Sequence, residues 1–160
     1  MELKGIHDED FVNYKKPAMF IAFPYCTFKC EEESGVRCCQ NSALAKAKTI
    51  DITYNAIVDR YMGNPITSAI VMGGLEPLES LYDLRELIEA FRQRTDDDIV
   101  IYTGYTESEA AVMTGLIGIE RYPNIIIKYG RFVPDSKARF DELLGVTLAS
   151  ENQYAKRLTP

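Results

Sequence analysis

The sequence predicts an α/β fold in which a parallel sheet is covered on both faces. Predicted strands and helices alternate along the chain, as they do in proteins with parallel sheets. The predicted strands are continuous apolar runs, such as residues 18–23 and 124–129, and strands of this kind are buried on both sides. A chain of 160 residues normally forms one domain. We therefore predict a single domain over residues 1–160, with residues 1–16 as an N-terminal extension.

In the first half of the chain, apolar runs and helical spacing predict two strands and two helices. One short apolar run precedes a cysteine-rich loop, and a second ends at Gly73 and Gly74. Apolar residues recur at helical spacing after Asp51, a candidate N-cap, and again after Pro77. The predicted elements are strand 18–23, helix 51–62, strand 67–72 and helix 78–91.

The second half continues the alternation. A third apolar run ends at Thr103 and a fourth ends at Gly130. Between them, Thr106 and Glu109 have the spacing of a capping box, which predicts the start of a helix. The predicted elements are strand 98–102, helix 106–116, strand 124–129 and a short helix 137–144, followed by an irregular tail or a last strand over 145–160.

Chemically distinctive segments follow each of the four predicted strands. In open parallel sheets, ligands bind beyond the carboxyl ends of the strands. We therefore expect one functional site at this edge of the sheet. The segments concerned are the cysteine loop, Gly73-Gly74-Leu75-Glu76-Pro77, Thr103-Gly104-Tyr105, and Lys128 with Gly130.

The composition excludes several classes of protein. The net charge is −6, which argues against strong nucleic-acid binding, because that needs a basic face. No apolar run reaches the roughly 20 residues that span a bilayer. The acidic segment 1–10 lacks the apolar core of a secretory signal. The sequence thus predicts a cytoplasmic protein that binds neither nucleic acid nor membrane.

The cysteines are the most informative residues of the chain. All four, Cys26, Cys30, Cys38 and Cys39, lie within fourteen residues, and disulfides are rare in the cytosol. Clustered thiolates of this kind usually hold a metal or a metal cluster. The adjacent pair Cys38-Cys39 does not suit a four-thiolate zinc site. Three ligands and a spare cysteine favour an iron–sulfur cluster with one open iron, with structural zinc or buried free thiols as alternatives.

The glycine turn after the second predicted strand is a second candidate site. Gly73 and Gly74 would allow the backbone to approach a ligand closely. Glu76 could accept a hydrogen bond from a ligand ammonium group. The alternative is a plain strand-to-helix turn in which Pro77 is an early helical residue.

Together these segments resemble the radical S-adenosylmethionine enzymes, and most of all the activating proteins of anaerobic (class III) ribonucleotide reductases. The resemblance spans roughly residues 18–157, and the order of the motifs is more specific than any one of them. The matching segments are Cys26-Thr27-Phe28-Lys29-Cys30 with Cys39-Gln40-Asn41, Gly73-Gly74-Leu75-Glu76-Pro77-Leu78, Tyr102-Thr103-Gly104-Tyr105, Gly130-Arg131-Phe132 and Ser150-Glu151-Asn152-Gln153.

Two features depart from the family pattern. The family spaces its second and third cysteines by two residues, whereas eight residues separate Cys30 from Cys39. Either Cys38 or Cys39 could be the third ligand, and we favour Cys39 because Gln40-Asn41 follows it. The glycine turn also carries an inserted Leu75.

The resemblance implies a cofactor and a set of binding residues. Cys26, Cys30 and Cys39 would hold a 4Fe–4S cluster whose fourth iron binds S-adenosylmethionine. Reductive cleavage would give methionine and a 5′-deoxyadenosyl radical, so the cluster and not a side chain would be catalytic. The residues implied for S-adenosylmethionine binding are Gly73, Gly74, Glu76, Thr103 and Lys128.

The resemblance also implies a partner and refines the fold. The radical would abstract hydrogen from a glycine of anaerobic ribonucleotide reductase or another glycyl-radical protein, with a flavodoxin-like or other electron donor. The fold would be a short, incomplete (open) parallel β/α barrel, whose open side suits a protein substrate. The alternatives are a radical S-adenosylmethionine enzyme that acts on a peptide or small molecule, and a non-catalytic zinc-binding module.

Overall fold

The computed structural model describes residues 1–160 and has a mixed α/β fold. Ten strands and five α-helices follow one another along the chain, with two short 3-10 helices at Pro77–Glu79 and Ile119–Arg121. The elements are β1 (Glu2–Leu3), β2 (Gly5–Asp10), β3 (Ala18–Phe23), α1 (Lys29–Ser34), α2 (Ser42–Lys46), β4 (Ile50–Asp51), α3 (Tyr54–Met62), β5 (Ala69–Gly74), α4 (Leu81–Arg92), β6 (Asp98–Tyr102), α5 (Glu107–Ile117), β7 (Ile125–Tyr129), β8 (Arg139–Asp141), β9 (Val146–Leu148) and β10 (Tyr154–Arg157).

A six-stranded sheet forms the centre, in the order β10-β7-β6-β5-β3-β2. The four strands β3, β5, β6 and β7 are parallel neighbours. The edge strands β2 and β10 each pair with one neighbour and run antiparallel to it. The predicted mostly parallel sheet is therefore confirmed, and the sheet does not close into a barrel. Two small antiparallel pairs, β1 with β4 and β8 with β9, lie outside it.

Both faces of the sheet are buried, which explains why its strands are continuous apolar runs. On β5, for example, Ile70 and Met72 pack in the larger core with α3, α4 and α5. The intervening Ala69 and Val71 belong to a second core, which Leu144 beside β9 and Leu148 within it help to form. Successive residues of a strand point to opposite faces. The helices therefore cover one face, and the β8–β9 hairpin covers the other.

Two predicted helices start later than expected. Asp51 lies in β4, and the N-cap of α3 is instead Thr53, whose side-chain oxygen accepts a hydrogen bond from the Ala56 amide at 3.2 Å. The predicted helix 78–91 is divided into the 3-10 helix Pro77–Glu79 and α4. By contrast, the capping box of Thr106 and Glu109 is present at the start of α5, as predicted.

The prediction of a short helix over 137–144 is wrong, because these residues enter the β8–β9 hairpin. The Asp141 carboxylate accepts hydrogen bonds from the amides of Leu144, at 2.9 Å, and Ala155, at 2.8 Å. Gly145 has a φ of +72°, a left-handed conformation that ends any helix there. A local turn held by a distant strand thus replaces the helix.

Residues 1–16, the predicted N-terminal extension, contain β1 and β2. His7, the single histidine, is exposed on β2. None of the helices has the length and hydrophobicity needed to cross a lipid bilayer.

Candidate functional site

A cavity of about 420 Å³ lies at the carboxyl ends of the parallel strands. Its lining includes residues from the segments that follow all four of those strands, as the sequence predicts. Of the predicted site residues, the cavity is lined by Cys26, Cys30, Cys39, Gly74, Glu76, Thr103 and Lys128.

Gly73 and Cys38 are the two predicted residues that do not line the cavity. Gly73 is buried within β5, and a Cβ atom there would lie 3.2 Å from the ring of Phe20 and 3.4 Å from the Cβ of Tyr102. Gly73 therefore leaves room for two neighbouring side chains, while Gly74 faces the cavity.

The cysteine loop is built from a left-handed turn and a short helix. Phe28 has a φ of 56° and lies directly before α1, which carries Cys30. The Phe28 amide donates a hydrogen bond to the Cys26 sulfur at 3.2 Å. The Cys39 amide donates to the Glu31 carboxylate at 3.0 Å, so α1 also fixes the backbone of the third cavity-facing cysteine.

Cys38 contacts its own loop instead of the cavity. Its sulfur lies 3.6 Å from the Cys30 carbonyl oxygen and 3.4 Å from the Ser34 hydroxyl. The side chains of the two adjacent cysteines, Cys38 and Cys39, thus have different surroundings. The choice of Cys39 over Cys38 as the third ligand stays a prediction.

Burial disfavours ionisation of the cavity-facing thiols. All four cysteines are free and half-buried. Burial raises the pKa of Cys26 and of Cys30 to about 11, and burial also raises that of Cys39. No group of three or more His, Cys, Asp or Glu side chains has the geometry of a metal site. The thiols border one cavity, but they would have to move together and lose protons to bind metal.

Asn41 joins the cysteine segment to the glycine turn. Its side-chain amide donates a hydrogen bond to the Gly74 carbonyl oxygen at 2.6 Å. On the other side of the turn, the amides of Leu75 and Glu76 donate to the carbonyl oxygens of Phe23, at 3.2 Å, and Tyr25, at 2.8 Å. These two hydrogen bonds keep the glycine turn beside the segment that follows β3. The turn accommodates the inserted Leu75 without losing this contact.

Glu76 is buried beneath the turn, with 5% of its surface exposed. One carboxylate oxygen accepts from the Leu78 amide at 3.1 Å, and the other accepts from the Gly104 amide at 2.8 Å. Burial raises the pKa of Glu76 to about 7, although the amide donors oppose this shift. Because each carboxylate oxygen can accept a second hydrogen bond, Glu76 both holds two loops together and keeps capacity for a ligand donor.

Replacing Glu76 with glutamine is expected to change how stability depends on pH. The folded-state pKa, about 7, lies above the ordinary 4.5, so the folded chain retains this proton more strongly than the unfolded chain. In the wild type, this group's stabilising contribution is fully present below pH 4.5 and is lost as the pH rises through 7. The total loss is about 3 kcal/mol at roughly 1.4 kcal/mol per pKa unit.

Urea unfolding of the cluster-free wild type and Glu76→Gln at pH 5 and pH 8 would measure this effect. We expect the difference between the free energy of unfolding of the variant and that of the wild type to be more favourable to the variant at pH 8 than at pH 5. Parallel pH profiles for the two proteins would contradict the assigned titration of Glu76.

Lys128 is a buried cation that lines the cavity, with 6% of its surface exposed. Its ammonium group donates one hydrogen bond, to the Gly130 carbonyl oxygen at 2.9 Å, and forms no salt bridge. Burial lowers the pKa of Lys128 to about 8, while the charge of Glu76 acts in the opposite direction. An ammonium group has three donors, so Lys128 has capacity for an anionic ligand group.

Arg131 is a site residue whose role the sequence did not reveal. Its guanidinium donates two hydrogen bonds to the Glu109 carboxylate, both at 2.9 Å, and its Nε lies 3.2 Å from a carboxylate oxygen of Glu33. This pairing lowers the pKa of Glu109 to about 2. Because Glu33 belongs to α1 and Glu109 to α5, Arg131 connects the cysteine-bearing helix to the rest of the fold.

Glu79 holds the other end of the same loop. One of its oxygens accepts hydrogen bonds from the Thr27 amide at 3.0 Å, the Thr27 hydroxyl at 2.6 Å and the Tyr105 hydroxyl at 3.2 Å. Thr27 directly follows Cys26. The segment between Cys26 and Cys30 is thus anchored on both sides by charged side chains from distant parts of the chain.

Replacing Arg131 with methionine is expected to loosen α1. The substitution keeps most of the side-chain volume but removes charge-assisted hydrogen bonds, which contribute roughly 1.5–3 kcal/mol. We expect faster amide hydrogen exchange over residues 29–34 and a lower free energy of unfolding. Arg139→Met, on the exposed strand β8, is the matched control. Unchanged exchange in α1 would argue against the connection.

Comparison with known protein families gives one match. A family model described as a 4Fe-4S single cluster domain matches residues 18–145. The matched region runs from β3 to the β8–β9 hairpin and includes all four cysteines, Glu76, Lys128 and Arg131. No curated protein and no solved structure matches the chain.

Proposed function

Because this chain belongs to the 4Fe-4S single cluster domain family, we propose that Cys26, Cys30 and Cys39 hold a single 4Fe–4S cluster. The observation that carries the proposal is that these three cysteines border one cavity while Cys38 contacts its own loop. Thiolates are the usual ligands of such clusters. The donor set fits the cluster with one iron left without a protein ligand.

We further propose that the open iron binds S-adenosylmethionine. The methionine end of this molecule carries an ammonium and a carboxylate group. The cavity offers a buried carboxylate, Glu76, and a buried ammonium, Lys128, that forms no salt bridge. Glu76 would accept from the ammonium, and Lys128 would donate to the carboxylate. Gly74 and Thr103 also border the cavity, and Gly74 has no side chain to keep a ligand from the backbone.

When bound, the cluster would supply the single electron that reductively cleaves S-adenosylmethionine. The chain's own residues would orient the substrate and limit the access of water. Lys128 and Glu76 are almost completely buried, so their charges act in a medium of low polarity, where such interactions are stronger than in water. A fixed ammonium and a fixed carboxylate would hold the sulfonium group in one orientation.

The proposed substrate is a glycine of a class III ribonucleotide reductase or of another glycyl-radical protein. The sheet ends in two edge strands instead of closing, and we propose that it is the open barrel typical of activating enzymes. Such a sheet leaves one side of the cavity accessible to a loop of a larger protein. The proposed electron donor is flavodoxin-like, and the proposed location is the cytoplasm, where thiols stay reduced.

Two other functions compete with this proposal. A radical S-adenosylmethionine enzyme that acts on a peptide or small molecule would use the same cluster and the same charged pair. A zinc-binding module would use the cysteines without catalysis. The placement of Cys38 outside the cavity argues against the module, because structural zinc sites usually have four protein ligands.

Anaerobic reconstitution with iron and sulfide tests the proposal. We expect about four irons per chain, an electron paramagnetic resonance signal that S-adenosylmethionine alters, and cleavage of S-adenosylmethionine upon reduction. Addition of a class III reductase should produce a doublet glycyl-radical signal, and removal of the reductase glycine should abolish it. A colourless zinc protein would overturn the cluster. Cleavage without radical transfer to any glycyl-radical protein would overturn only the activating role.

A further inference from the structure

Strand β9 borders the cavity with its backbone edge. The consecutive residues Val146, Thr147, Leu148 and Ala149 all line the cavity. Side chains of a strand alternate between two faces, so a single face would contribute only every second residue. An unbroken run of lining residues therefore indicates that the edge of the strand, with its amide and carbonyl groups, faces the cavity.

This edge has no strand partner. Strand β9 pairs with β8 alone, and the two form a separate two-stranded sheet. A strand at the edge of a sheet presents unpaired amide and carbonyl groups that can bind another extended chain. The edge strands β2 and β10 of the central sheet also have a free side, but none of their residues lines the cavity.

The surroundings of β9 favour a polypeptide with small or apolar side chains. Phe20 and Tyr102 line the same cavity as β9, and so does Val12, with 72% of its surface exposed. The three cysteines Cys26, Cys30 and Cys39 line this same cavity. An extended chain paired with β9 would therefore share one cavity with the cluster site.

We propose that an extended segment of the protein partner adds to β9 as a third strand of the β8–β9 sheet. Main-chain hydrogen bonds to β9 would position the segment, and its reactive glycine would follow the paired residues towards the cysteines. This inference rests on the proposed function for the identity of the partner. The strand addition itself rests on the unpaired edge of β9.

A peptide that copies the radical-bearing glycine loop of a class III reductase is the probe. It would be titrated, under anaerobic conditions, into the reconstituted protein with S-adenosylmethionine present. A peptide paired through its backbone uses every second amide. We expect N-methylation to weaken binding about three- to tenfold at alternate positions and to have little effect at the positions between them.

Amide hydrogen exchange identifies the strand that is used. Peptide binding should protect residues 146–149 and leave β2 and β10 unchanged. Thr147→Pro and Phe140→Pro form a matched pair, because the two residues lie opposite each other in the hairpin. Both substitutions remove an amide at the same level of the hairpin, but only Thr147→Pro alters the edge at the cavity. We expect Thr147→Pro to weaken the peptide about fivefold more than Phe140→Pro.

The outcomes separate this inference from the proposed function. Equal effects of N-methylation at all positions, protection at β2 or β10, or no binding of the peptide would overturn the strand addition. A glycyl-radical signal on the intact reductase would still support the activating role in each of those cases. Alternating effects and protection of β9 without any radical signal would support the strand addition and overturn the activating role.

Discussion

Replacing Cys26, Cys30 or Cys39 with alanine is expected to abolish assembly of the 4Fe–4S cluster. Each substitution leaves only two of the three cavity-facing thiolates. A cluster that already has one iron without a protein ligand would then have a second such iron, and two thiolates are too few to hold it. The expected result is loss of nearly all the iron and sulfide bound after reconstitution, with loss of the brown colour. Iron and sulfide analysis and electron paramagnetic resonance would measure it.

Cys38→Ala is the matched control within the same loop. The Cys38 sulfur contacts the Cys30 carbonyl and the Ser34 hydroxyl, so its removal should leave most of the cluster in place. A variant without Cys38 that lost the cluster, together with a Cys39→Ala variant that kept it, would reverse the assignment of the third ligand. Retention of the cluster in all four variants would contradict cysteine ligation.

The strands and the site edge could be predicted from the sequence because their signals are local. Strand β6 has the predicted bounds, since both of its faces are buried and its run of apolar residues is continuous. The start of α5 follows from a capping box whose two residues lie three positions apart. Once the strands are parallel, the segments after them meet at one edge, which brings Cys26, Glu76 and Lys128 to one cavity.

The parts that could not be predicted depend on contacts between distant residues. No sequence pattern links Arg131 to Glu33. The two residues are in contact only because the chain after β7 lies beside α1 in the fold. The hairpin at 139–148 has the same origin, since Asp141 is held by the amide of Ala155 on β10. The sequence predicted a short helix over 137–144, but these tertiary hydrogen bonds favour a turn.

Replacing Gly74 with alanine is expected to be among the most destabilising single substitutions in the glycine turn. Gly74 has a φ of +85°, and an added Cβ would lie 2.7 Å from the Ala22 Cα and 2.9 Å from the Ala22 Cβ. The contacted Cα is a backbone atom of β3 and cannot move aside without distorting the sheet. Left-handed strain of about 1–2 kcal/mol adds to an overpacking cost of about 1–3 kcal/mol.

The damage should extend to the cysteines. The Gly74 carbonyl accepts the Asn41 hydrogen bond, and the next amide donates to Phe23. A displaced turn would therefore release the segment that follows Cys39. We expect urea unfolding to show a loss of roughly 2–5 kcal/mol, and reconstituted protein to hold less iron than the wild type.

Two other glycines separate the causes of this loss. Gly35 also has a positive φ, +68°, but an added Cβ would meet nothing within 4 Å, so Gly35→Ala should show the strain alone. Gly115, in α5, likewise has open space, and Gly115→Ala should stabilise the helix by about 0.5–1 kcal/mol. If Gly74→Ala cost no more than Gly35→Ala, the close approach of β3 to the turn would not be what requires glycine there. A larger loss, accompanied by lower iron content, would show that the packing of two parallel strands determines the position of the cluster-binding loop.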